Sequence, residues 1–101
     1  MQFTWHPGKA EANRKKHRVS FDAAQLVFDD PHTVSKLDVR FNDERWATIG
    51  RSGARILFVA HLVIEEDNEE TIRIISAREA TREERRVYQD RKSTRLNSSH
   101  G

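Results

Sequence analysis

The segment "IRIISAREATREERRVY", Ile72 to Tyr88, sets Arg73, Arg78, Arg82, Arg85 and Arg86 across the junction of a strand-like run and a helix-like run. A guanidinium fork matches phosphate oxygens two at a time, so this column offers a phosphodiester clamp. Glu84 and Tyr88 stand one helical turn apart on the same segment and add a carboxylate and a phenol to the guanidinium groups. The same charges also suit an exposed helix face on which the arginines pair with Glu83 and Glu84. His61 is a second candidate, because it interrupts the apolar run "RILFVAHLVI" and a buried imidazole needs a partner or a purpose. The run "NRKKHR", Asn13 to Arg18, reads either as a nucleic-acid or partner-binding edge carrying Lys16 and His17, or as a helix end satisfied by basic side chains.

Other chemistries find no support. His6, His17, His32 and His61 lack zinc spacing, and neither a glycine-rich phosphate loop nor a Gly-x-Ser-x-Gly element occurs. Cysteine is absent, which fits a reducing cytoplasm and leaves no disulfide staple. The longest apolar run is far shorter than a membrane span. The 101 residues carry a formal charge of +2. The end, "DRKSTRLNSSH", has no apolar period and looks like a translated sequencing adapter. We therefore expect a domain over residues 1–89 and a non-native, disordered tail over 90–101. Residues 1–89 hold 15 basic and 15 acidic side chains, so any phosphate site must be a local patch. No helix-turn-helix pattern points to DNA binding by this chain alone.

The elements that position these groups follow from periodicity. Gln2 to Trp5 suits a short strand, and Pro7 fits the first position of a helix running to His17. Ser20 caps a second helix, with Phe21, Ala24, Val27 and Phe28 on its apolar face, ended by Asp29, Asp30 and Pro31. Extended runs follow: "HTVSKL", a loop "DVRFND", then "ERWATIG" with Trp46, Thr48 and Gly50 on one face and Arg45, Ala47 and Ile49 on the other. "RILFVAHLVI" is apolar on both faces and predicts the central strand. The acidic "EEDNEE" connects it to "TIRIISA", whose alternation sets Arg73, Ile75 and Ala77 against Ile72, Ile74 and Ser76. Thr81 and Glu84 have capping-box spacing at the start of the last helix. The class is α+β, in the order β-α-α-β-β-β-β-α, with helices on one face of an antiparallel four- to five-stranded sheet.

"FTWHPGKAEANRKKHRVSFDAAQLVFDDP", "ERWATIG" and "IRIISAREATREERRVY" together resemble the signature blocks of the BrnT family, toxins of type II toxin–antitoxin pairs. The resemblance implies a small RelE-like fold and a cytoplasmic, metal-independent ribonuclease that needs no cofactor and arrests translation. It implies a BrnA-like antitoxin partner, with DNA engaged only through the toxin–antitoxin complex. Matching positions include Asn13, Lys16, His17, Phe21, Arg45, Gly50, Arg73, Ser76, Arg78, Glu84 and Tyr88. In the implied chemistry a ribose 2′-hydroxyl attacks the adjacent phosphate. Arg78 and Arg45 then form the clamp with Arg73 supporting, and His61, Glu84 and Tyr88 are candidates for acid and base. Lys9, Lys16 and Arg82 hold flanking phosphates. Two positions depart from the family. His6 replaces the usual aspartate, which weakens a helix cap, and Arg18 replaces a glycine at a cost of about 1 kcal/mol if it is left-handed. A toxin-fold module that binds RNA or antitoxin without catalysis is the alternative.

Overall fold

The computed structural model of the chain describes residues 1–38 and 44–98, with side chains to residue 91. Its elements are β1 (Gln2–Thr4), α1 (Pro7–His17), α2 (Phe21–Gln25), a 3₁₀ turn (Leu26–Asp29), β2 (Val34–Asp38), β3 (Arg45–Ser52), β4 (Arg55–Glu66), β5 (Glu69–Glu79) and α3 (Arg82–Ser98). The expected order and class hold. The loop expected over residues 38–43 lies outside the described residues except for Asp38, which ends β2. α3 continues through residues 90–98, where a disordered tail was expected.

The five strands lie in the order β1-β5-β4-β3-β2, so the apolar β4 is central. β2 through β5 are antiparallel, whereas β1 runs parallel to β5, with Phe3 opposite Ile72. Only the long route through all the other elements allows that parallel pairing. α1 and α2 cover one sheet face, where Val19, Phe21, Ala24 and Val27 meet Leu57, Val59, Ile72, Ile74 and Ala77. α3 does not join them. It closes one end of the other face, burying Tyr88 with Ile49 and Ala80 against Ile56 and Phe58. Of the described apolar side chains in α3 only Tyr88 is buried, while Val87 faces out, so the helix covers only that end of the face.

Local chemistry sets the joints. The side chain of Ser20 accepts the Ala23 N–H, as its position before an apolar helix predicts. His6 does cap α1: its Nδ1 accepts the N–H groups of Gly8 and Lys9 at 3.1 and 3.3 Å, so an imidazole nitrogen does the work expected of a carboxylate. Arg18 ends α1 in the left-handed region, φ 58° and ψ 34°, with its N–H on the Arg14 carbonyl. Arg18→Gly should therefore raise stability by about 1 kcal/mol in urea denaturation. A fall would show that the arginine side chain contributes more than its backbone costs.

Gly50 serves a different purpose. A Cβ there would lie 2.7 Å from Val27 Cγ1 and 2.8 Å from Thr33 Cγ2, because the 3₁₀ turn presses directly onto β3. Gly50→Ala should cost about 2 kcal/mol, read as a lower urea midpoint at unchanged slope.

Candidate nucleic-acid interface and active site

Strand alternation alone would put residues 73 and 78, five apart, on opposite faces of the sheet. The register of β5 on β4 slips at Ala60/His61: Ala60 pairs with Ser76, but His61 pairs with Ile74, so Ile75 is the extra residue of a bulge. Beyond the bulge the phase is reversed. Arg73 lies opposite Leu62 and Arg78 opposite Phe58, and both share the open face. The expected grouping of Arg73 with Ala77 is corrected by the same slip, since Ala77 joins Ile72 and Ile74 in the core under α1 and α2. Arg45 also pairs with Leu62, so Arg45 and Arg73 flank one apolar residue on the arginine face. Arg78 stands four ladder positions away, about 13 Å along the strands. The geometry thus divides the expected Arg78–Arg45 clamp into a pair, Arg45 with Arg73, and a separate Arg78.

Arg78 is the most constrained cation in the site. Its guanidinium stacks 4.2 Å from the ring centre of Phe58. Nη1 and Nη2 donate to Glu84 Oε1 and Oε2 at 2.7 and 2.9 Å, and Nη1 also reaches the Glu79 carbonyl at 3.2 Å. Glu84 is itself fixed by the expected capping box: Thr81 N–H donates to its Oε1, and its own N–H donates to Thr81 Oγ1. The helix cap therefore aims the arginine. The Arg78 bonds lower the Glu84 pKa, against partial burial, while Glu84 raises that of Arg78. A carboxylate held ionised in this way is a fixed acceptor and a weak base. The Nε–H and one Nη2–H of Arg78 remain for a ligand.

The other expected acid–base groups lie elsewhere. Tyr88 is 1% exposed and donates its hydroxyl to Asp30 Oδ2 at 2.7 Å. Burial, then the bond to Asp30, raises its pKa. Burial works against the Asp30 carboxylate, but hydrogen bonds from Tyr88 and from the N–H groups of His32 and Arg51 outweigh it and lower its pKa. Tyr88 is thus a bolt between α3 and the 3₁₀ turn. His61 shares the helix-covered face with Leu57 and Val59, opposite the arginines, and is 3% exposed. Its Nε2 lies 2.7 Å from Thr48 Oγ1, which lies 2.8 Å from Ser35 Oγ, and its ring stands edge-on to Phe28. Burial lowers its pKa to about 4, with the Leu62 backbone offsetting part of this although no atom has hydrogen-bonding geometry to Nδ1.

Lys9 and Lys16 are exposed and His17 half-buried on α1, the helix that covers the opposite face, whereas Arg82, Arg85 and Arg86 are exposed on α3. Asn13, read from sequence as part of a basic run, is a buried clamp between α1 and β5. Phe58 beneath Arg78 and Asp30 beneath Tyr88 went unread, since each meets its partner through register or long-range contact. Among the described residues no group of three His, Cys, Asp or Glu could hold a metal ion, and no helix is long and apolar enough to cross a membrane.

No curated protein matches the chain. The family model described as the ribonuclease toxin BrnT of a type II toxin–antitoxin system matches residues 5–84. That span runs from the residue before the α1 cap to Glu84, and so takes in Asn13, Arg45, Gly50, the β5 bulge and the Arg78–Glu84 pair. The chain belongs to the BrnT family and is a ribonuclease toxin of a type II toxin–antitoxin system.

Proposed function

We propose that the toxin cleaves single-stranded RNA by metal-independent transesterification on the open arginine face. The ribose 2′-oxygen forms a bond to the adjacent phosphorus, and the bond to the 5′-oxygen of the next nucleotide breaks. The products are a 2′,3′-cyclic phosphate and a 5′-hydroxyl: the 2′-hydroxyl gives up its proton to water and the leaving 5′-oxygen takes one from water, so no proton is gained or lost overall. Arg78 stabilises the charge that builds on the phosphorane oxygens. Arg73 and Arg45, about 13 Å along the strands, hold a neighbouring phosphate, and Arg82 extends the track along α3. Glu84 positions Arg78, while His61 and Tyr88 are structural. The observation that carries this reading is the Arg78–Glu84 pair, which fixes one edge of the guanidinium and leaves the other for a phosphate. Neutralisation falls to a BrnA-like antitoxin, and DNA is reached only through that complex, in the cytoplasm.

The test is cleavage of end-labelled single-stranded RNA by the full chain with and without EDTA. Cyclic-phosphate ends at equal rates in both are expected. Activity that EDTA abolishes and magnesium restores would overturn the metal-free reading. No cleavage of free RNA by the folded protein would favour a ribosome-bound substrate or a binding module.

A further inference from the structure

The sheet face opposite the arginines is not fully covered by α1 and α2. Beyond them opens a cleft of about 660 Å³, with Phe28, Trp46 and His61 in its wall and Glu44, Glu65 and Glu70 around it. Two features of this cleft lack an internal explanation. Glu65 pairs directly across the β4–β5 ladder with Glu70, and the next pair is Glu66 with Glu69. Like charges directly opposite on an antiparallel ladder are destabilising, and among the described residues Glu44, Glu65 and Glu70 have no cationic partner. In addition, His61 lies in the wall with its Nδ1 buried and without a hydrogen-bond partner. An aromatic wall and a row of unneutralised carboxylates match one kind of guest, and the unsatisfied ring nitrogen is an acceptor for it in the tautomer that donates Nε2–H to Thr48.

We propose that this cleft receives an arginine or lysine side chain from a basic segment of a protein partner. The cation lies against Trp46 and is neutralised by Glu65 and Glu70. RNA is excluded, because the same carboxylates repel phosphate. The two sheet faces then divide the work, with phosphate on the guanidinium side and a cationic protein segment on the carboxylate side. Only the existence of a protein partner rests on the toxin reading, and the binding test below does not depend on nuclease activity.

The probe is the peptide acetyl-Leu-Arg-Leu-Arg-amide, titrated into the full ¹⁵N-labelled chain beside its citrulline twin and beside spermidine. Saturable shifts at the Trp46 indole and at Val63 and Ile72 are expected, with none at Arg45 or Arg73 and none from the citrulline peptide. The double variant Glu65→Gln/Glu70→Gln should bind at least about fivefold more weakly. It should also melt at a higher temperature, because it removes the opposed charges. The proposal is overturned by peptide shifts on the arginine face, or by unchanged affinity in the variant. It falls equally if spermidine binds as tightly as the peptide, which would make the cleft a polyamine site, or if the variant gains no stability.

Discussion

Arg78→Ala should lower the single-turnover rate of RNA cleavage by about 10²–10³-fold, the usual cost of removing one fixed donor to a developing oxyanion. Lys16→Ala should change it by less than about fivefold, since a single exposed cation on the helix that covers the other face contributes about 1 kcal/mol or less. The contrast follows from how each cation is held. Lys16 is exposed on α1, whereas Arg78 is stacked on Phe58 and fixed on Glu84 through both carboxylate oxygens. Its orientation is settled before substrate arrives, so no reorganisation opposes catalysis. Arg78→Lys should recover little, because an ammonium cannot bind Glu84 by one edge and a phosphate by another. The variants should still fold, since Glu84 keeps its bonds to Thr81. Equal, negligible effects of Arg78→Ala and Lys16→Ala in folded proteins would sink the assignment.

The largest effect on stability is expected from Asn13→Asp, a loss of about 3–5 kcal/mol in urea denaturation. Asn13 is 7% exposed. Its Nδ2 donates to the carbonyls of Val19 and Ala77 at 3.0 and 2.7 Å, and its Oδ1 accepts the Ala77 N–H at 3.1 Å. It therefore offers the rim of β5 a donor and an acceptor, as a neighbouring strand would, where β1 is too short to reach. Aspartate preserves the shape but turns the donor into an acceptor facing two carbonyls, and it buries a charge. Asn13→Ala should cost less, about 2–3 kcal/mol, because it removes the bonds without adding repulsion. Against a typical total of about 5–15 kcal/mol, that loss brings a domain at the low end of the range to the edge of unfolding. A loss below about 1 kcal/mol would mean that water replaces the amide.

Those two residues also show what a sequence carries. The faces of β3, the central place of β4 and the capping box at Thr81 were legible, because each is set by neighbours a few positions away. The phase of β5 was not, since Ile75 differs in no way from the isoleucines around it and the bulge exists only in its pairing with β4. Asn13 was read with the basic residues that follow it, because its partner Ala77 is distant in the chain. Tyr88 was read as a chemical group for the same reason, its hydroxyl being taken up by Asp30. The acidic run was read as a connection, yet only Asp67 and Asn68 form the turn, with φ 53° and 65°, and four of its glutamates stand in the ladder. His6 shows the reverse case: the aspartate is missing but the cap is present, because an imidazole nitrogen also accepts.

The parallel seam between β1 and β5 sets the timetable of synthesis. Phe3 leaves the ribosome well ahead of its partner, Ile72, and finds it only when nearly all of the matched domain has been made. At about 5–20 residues per second the N-terminal strand waits several seconds for it. Arg73 and Arg78 are on that same late strand, and Glu84, which aims Arg78, is later still. A nascent chain therefore has no assembled arginine face while the residues between β1 and β5 are being translated, and a nuclease working through that face, as proposed, is complete only after the last strand has emerged.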